Sequence, residues 1–286
     1  SPSTVGIGGS VTDTATLSSG YNPTGTITFR VFAPGDTTCS GIAVFTSTVT
    51  VAGNGPYVSS SFSPTSSGTY QWTATYSGDS SNNAVGSACG SEPLTVTKAS
   101  PTIATLIKDS NGNIVTSITV GTVVHDTATL TGGYNPMGTV TYNFYANGAC
   151  SGTPASTETM TIVAPGIVPD GSSFVITPAG SYSFNAHYSG DGNNNAADSA
   201  CEPLTVDKAT PSVVTEVHNS THNAVTSVTL GSSVHDRATV SGGYTPTGNV
   251  TYDYYTNGVC SGTPSSTETV PLASESSTVG PLAAGS

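Results

Sequence analysis

The residues in this chain best placed to do chemistry are its five cysteines: Cys39, Cys89, Cys150, Cys201 and Cys260. The first two stand 50 residues apart and the next two 51. This matched spacing predicts two bridges, Cys39–Cys89 and Cys150–Cys201, with Cys260 left as the partner of a cysteine the chain does not contain. That reading explains the odd count better than a reactive thiol does. Closing a loop of this length is worth about 4 kcal/mol in chain entropy, and such bridges form in an oxidising compartment. A zinc site is the rival reading, but no Cys-x-x-Cys motif occurs and no histidine stands at ligand spacing.

Oxygen-bearing side chains form the second group. Asp191 and Asn193, in Asp191-Gly192-Asn193-Asn194-Asn195, and Asp198 just beyond it are hard ligands suited to calcium. Asp79, Asn82 and Asn83 echo the pattern. The plainer reading, adopted here, is a polar turn in which Asn and Gly tolerate positive φ. No metal and no cofactor is expected. His125 and His235 occupy equivalent strand positions, where the first repeat has Thr12; without a positioned partner for acid–base work they read as strand-surface residues. His218 and His222 fall in a polar hairpin, a weak metal signal. Tyr21, Tyr134 and Tyr244 each lie in a turn beside proline. Each either stacks on a sugar ring or packs over the end of its own domain with its hydroxyl bonded to backbone. Asn219-Ser220-Thr221 and Asn249-Val250-Thr251 match the N-glycosylation pattern.

Nothing in this inventory assembles into a catalytic motif. There is no G-x-S-x-G, H-E-x-x-H or phosphate-loop pattern, and no carboxylate pair is marked for glycoside chemistry among 17 acidic residues. The chain is therefore not expected to be an enzyme. Its net charge of −12, with five scattered basic residues, excludes a nucleic-acid partner. No apolar run is long enough to span a membrane, so no membrane insertion is expected of this segment. Charged residues make up only 8%, yet 13 Tyr and 7 Phe recur within alternating segments, which argues for folded β structure rather than a disordered stalk.

The elements that must position these residues repeat. Tyr21-Asn22-Pro23-Thr24-Gly25 returns as Tyr134-Asn135-Pro136-Met137-Gly138 and as Tyr244-Thr245-Pro246-Thr247-Gly248. Strands precede each copy: Asp13–Leu17, Asp126–Leu130 and Asp236–Val240. Three domains follow, 1–99, 100–209 and 210–286, of which only the middle one reads as complete. The first lacks a counterpart of Thr102–Lys108. The third stops at Ala284-Gly285-Ser286, aligned with Ala179-Gly180-Ser181, before the strands matching Tyr182–Tyr188 and Glu202–Val206. The expectation is a longer polypeptide, or ends completed by neighbouring chains, since an open sandwich exposes strand edges and half a core. Val124–Leu130, Thr139–Tyr145 and Tyr182–Tyr188 alternate with the period of half-buried strands, and Asn147-Gly148 signals a tight hairpin. The fold expected is all-β, a tandem of immunoglobulin-like β-sandwiches.

The order of these segments, Asp13-Thr14-Ala15-Thr16-Leu17, then Tyr21–Phe29, then Ser67–Asp79 ending Tyr76-Ser77-Gly78-Asp79, resembles the bacterial Ig-like repeat domains of large secreted and cell-surface proteins. The resemblance covers essentially the whole chain. It implies an extracellular or cell-surface location and a role as stalk, adhesin shaft, spacer or fibre building block, with no catalytic residues to carry over. The expectation drawn from it is a structural protein, a rod or fibre subunit that self-associates. An adhesin stalk binding glycan or host protein and a spacer in a surface enzyme are the alternatives.

Overall fold

The computed structural model describes residues 3–163 and 166–283, so the aligned terminus Ala284–Ser286 lies outside the described residues. Secondary structure is all strand among them. The first repeat contributes β1 (Thr4–Gly6), β2 (Thr14–Leu17), β3 (Thr26–Phe32), β4 (Phe45–Thr50), β5 (Gly55–Val58), β6 (Gly68–Tyr76), β7 (Val85–Gly86) and β8 (Pro93–Thr97). One sheet runs β1-β8-β6-β3-β4, with β7 beside β6; β2 and β5 form the other. β1 joins β8 in parallel, and β3 pairs antiparallel with both β4 and β6. Alternation explains the core. Ile27, Phe29 and Val31 point inward from β3, Tyr70, Trp72 and Tyr76 from β6, and Leu94 and Val96 from β8. Ala15 and Leu17 of β2 and Tyr57 of β5 pack against them from the second sheet. Phe45 and Phe62 close around Trp72 with ring centroids 5.7 and 6.0 Å away, both edge-on.

The second repeat contributes β9 (Thr102–Asp109), β10 (Ser117–Thr119), β11 (Val123–Thr131), β12 (Thr139–Tyr145), β13 (Ser156–Thr161), β14 (Phe174–Val175), β15 (Gly180–Tyr188), β16 (Ala197–Asp198) and β17 (Glu202–Asp207). Its sheets are β10-β17-β15-β12-β13, with β16 beside β15, and β14-β11-β9. The strand order of the first repeat thus recurs. Two facing, mainly antiparallel sheets with this order, around one core per repeat, make the fold a tandem of Ig-like β-sandwiches. β12 and β13 are neighbours as the Asn147-Gly148 signal implied, but no two-residue turn joins them. Residues 146–155 form a longer loop, because Asn147 Oδ1 accepts from the Ala149 and Ser151 amides and holds the chain out around Cys150.

The third repeat contributes β18 (Ser212–Asn219), β19 (Val234–Ser241), β20 (Asn249–Tyr254) and β21 (Ser266–Pro271). β18 pairs with β19 and β20 with β21. In β9, Ile103 and Ile107 are 6% and 2% exposed; at the matching places in β18, Val213 and Val217 are 56% and 44% exposed. Backbone contacts group the chain into two compact units: residues 1–116, 123–174 and 181–205, and residues 117–122, 175–180 and 206–286.

Candidate functional site

Both expected disulfides form, Cys39–Cys89 and Cys150–Cys201, each with Cα atoms 5.8 Å apart, and none of the four cysteines lies within a strand. Cys260 is a free, exposed thiol. It shares the left-handed backbone of its counterparts, with φ of 47° against 51° at Cys39 and 47° at Cys150. The Cys150 loop is pinned from within the sandwich by Ser183, whose hydroxyl accepts from the Cys150 amide and donates to the Asn147 carbonyl.

The Asp/Asn loop has a definite structural task. Asp191 Oδ1 accepts from the Asn193 and Asn194 amides at 2.7 and 2.8 Å, and Oδ2 from the Met137 amide at 2.7 Å and the Tyr188 hydroxyl at 3.1 Å. The Asn194 side-chain amide donates to both oxygens. Partial burial works to raise the Asp191 pKa, but these donors outweigh it and hold the carboxyl below its ordinary value. A carboxylate so saturated with N–H and O–H donors has little capacity left for a cation. Asp198 is engaged elsewhere, 2.6 Å from His187 Nδ1. Each of the three calcium candidates thus has its side-chain oxygen engaged by other partners.

The loop instead aims a tyrosine. Asn194 is fully buried; its Oδ1 accepts from the Tyr134 amide and its Nδ2 donates to the Tyr134 carbonyl. So fixed, the Tyr134 ring lies over Gly8 of the first repeat, where a Cβ would come within 3.2 Å of it. Gly8 has φ +83°, so a side chain there is disfavoured twice, by the backbone and by the ring. Hydrogen bonds close the rest of the joint. Asn193 Oδ1 accepts from the Ser67 amide at 3.0 Å, and the Ser67 hydroxyl donates to the Gly192 carbonyl at 2.6 Å. Lys98 Nζ donates to the Asp191 carbonyl, and Ala99 exchanges backbone bonds with Asn193 and Asn195. The contact of the Tyr134 ring with the neighbouring repeat is one that neither reading of it anticipated.

The same parts recur. In the first repeat Asp79 accepts from the Thr24 and Ser81 amides and from Asn82, and those bonds hold its pKa far below the usual carboxylate range. Asn82 brackets Tyr21 as Asn194 brackets Tyr134. Yet the Tyr21 ring is 75% exposed. Within the second unit, Gly121, with φ +92°, faces Tyr244 as Gly8 faces Tyr134. Gly231 repeats the glycine at φ +84°, with nothing within 4 Å of a Cβ built there.

A cleft of about 400 Å³ opens in the second repeat beside Asp126, Tyr142, Phe144, Glu158 and Phe174. Burial, then the charges of Glu202 and Asp170, push the Asp126 pKa up to about 7, whereas bonds from Ser172 hold Glu158 low. Two carboxyls with separated pKa values suit acid–base work in general. Both Asp126 oxygens are sealed from solvent, however, so its raised carboxyl is not accessible from the cleft.

The histidines differ from expectation. His125 is half-buried, with Nδ1 sealed and without a partner, and His235 is 7% exposed rather than on the strand surface. The reason is local: the chain after β21 returns alongside β19, pairing Val279 with Val234, and covers His235. Asn219 uses its Oδ1 to accept from the amides of Thr221 and Asn223, whereas Asn249 starts β20 exposed.

No protein-family model matches this chain, and no curated protein does. Among solved structures, a protein from Corynebacterium diphtheriae described as membrane-anchored is 14% identical with a TM-score of 0.30, over 87% of this chain and 64% of that one. The N-terminal eight Ig domains of Down Syndrome Cell Adhesion Molecule give 14% identity and a TM-score of 0.24, over 87% of this chain and 31% of that one. The chain therefore spans less than two thirds of the length of either.

Proposed function

We propose that this chain is an extracellular structural protein, a rod or fibre subunit whose Ig-like repeats stack through a tyrosine-on-glycine joint. The observation that carries the reading is the recurrence of that joint. Tyr134 meets Gly8 and Tyr244 meets Gly121, while Tyr21 and Gly231 present the two halves without a partner among the described residues. These halves are complementary, so a head-to-tail contact between copies would place Tyr21 of one on Gly231 of the next. The disulfides support an oxidising, extracellular or cell-surface setting. The low charge supports association, since few ions must shed water when such surfaces meet. No catalytic role is assigned.

Sedimentation velocity over a concentration series tests this. The wild-type chain is expected to associate at high concentration, and Tyr21→Ala and Gly231→Val to weaken that association. A wild-type chain that stays monomeric throughout overturns the proposal. Association that is unchanged in both variants relocates the contact and overturns the joint. A glycan that binds the wild type and is lost with Tyr21→Ala would favour the adhesin reading instead.

A further inference from the structure

At positions 218 and 222 the third repeat has histidines that the other two repeats lack, and they join His235. His218 on β18 and His235 on β19 are direct cross-strand partners, and their ring centroids lie 5.7 Å apart. At the equivalent pair in the second repeat stand Lys108 and His125. His222, in the turn after β18, brings a third imidazole, centroid 4.7 Å from His235. Glu275 comes from the returning segment, held against β19 where the Ser276 amide donates to the Asp236 carbonyl at 2.9 Å. Its Oε2 lies 3.2 Å from His235 Nε2 and 3.1 Å from His222 Nδ1.

Two of these imidazoles are buried and carry ring nitrogens with no well-formed hydrogen bond. His218 is 4% exposed and both its ring nitrogens lack a hydrogen-bond partner; Nε2 of His235 is in the same position. The nearest charge to His218 Nε2 is Glu216, 3.6 Å away, beyond hydrogen-bond reach. Buried polar atoms left unsatisfied are unfavourable, and native structures rarely keep several together without a reason. One ligand-type atom from each of His218, His235 and Glu275 falls within 4.8 Å of the other two.

We propose that His218, His235 and Glu275, with His222 as the fourth donor, form a binding site for a divalent transition metal ion, zinc by preference. Tetrahedral zinc with bonds of about 2.0–2.1 Å holds its ligand atoms about 3.3 Å apart. Glu275 already stands at that spacing from His235 and His222. His218 has to swing inward by about 1.5 Å, from at most 4.8 Å. Neutral imidazole with one carboxylate selects zinc over calcium or magnesium, which take all-oxygen sets. Bound there, the ion would satisfy the bare ring nitrogens and tie the β18–β19 pair to the segment carrying Glu275. Arg237, with Nε 4.0 Å from Glu275 Oε1, lies beside the cluster and opposes the ion weakly.

The test uses the whole chain in a Cys260→Ser background, which removes the exposed thiol as a competing ligand. Zinc is titrated calorimetrically after chelator treatment, and cobalt(II) serves as a spectroscopic probe of four-coordinate ligation. One equivalent per chain is expected, with micromolar or tighter affinity and visible cobalt absorption. Glu275→Gln and His222→Ala change partly exposed side chains and should leave the fold intact; each is expected to weaken binding at least tenfold. His235→Ala should abolish it. Absence of a saturable single site, or binding that all three variants leave unchanged, overturns the proposal. Neither result bears on head-to-tail association.

Discussion

Replacing Asp126 by Asn should stabilise the second repeat at neutral and alkaline pH and remove much of its pH dependence. Asp126 is 3% exposed on β11, its oxygens are sealed from solvent with only weak backbone donors from Thr127 and Leu106, and its pKa rises from an ordinary 3.8 to about 7. Burial is the main cause, and the negative charges of Glu202 and Asp170 add to it. A raised folded-state pKa means that the folded chain holds a proton the unfolded chain has released. Stability from this group is therefore full below about pH 4, falls as pH rises, and is lost above about pH 7. A shift of about three units at 1.36 kcal/mol each sets a ceiling of about 4 kcal/mol. Asn keeps the shape without the charge, so the variant should gain about 2–4 kcal/mol at pH 8 and little at pH 4. Trp72, the sole tryptophan, sits in the first repeat, so its fluorescence does not report on this site. Hydrogen exchange of the amides in β9 and β11, read between pH 4 and 9 with correction for intrinsic rates, is the suitable assay. Equal protection of variant and wild type at pH 8, or a wild type that gains stability from pH 4 to 7, would refute the reasoning.

Removing the second bridge by Cys150→Ser with Cys201→Ser should destabilise its repeat by about 4 kcal/mol, the entropy of a 51-residue loop, as read by exchange of the same amides. Trp72→Ala empties the centre of the first core and should reduce stability by about 3–5 kcal/mol in urea unfolding followed by near-ultraviolet circular dichroism. Gly8→Val should prise Tyr134 off the first repeat while both sandwiches stay folded. Loss of amide protection confined to the contacts of Asn193 with Ser67 and Ala99 would show it, and unchanged protection there would count against the joint.

The strands were legible because their inward faces follow a strict period of two. Thr139–Tyr145 is β12 with the bounds its alternation implied, and the Cys150–Cys201 pair followed from spacing alone. Features set by partners distant in sequence were not legible. Tyr134 reads as a turn tyrosine, and nothing near it in sequence indicates that it will rest on Gly8, more than 120 residues earlier. Asn193 and Asn194 look alike as loop residues, yet one faces inward to bracket Tyr134 and the other outward to Ser67. His235 matches His125 by position; its burial depends on the segment after Pro271, which has no regular period to announce it. The one signal available was compositional: three of the five histidines fall in residues 218–235. Asp126 follows the inward period of Val124, Ala128 and Leu130, so its burial was readable in principle, against the usual expectation for a carboxylate.

Electron microscopy of native, unfractionated material tests the central claim most directly. The account predicts ordered filaments or sheets with a regular subunit repeat, in which Tyr21 lies at the joint between copies. Dispersed single molecules without regular contacts, at concentrations where the native material is abundant, would contradict it.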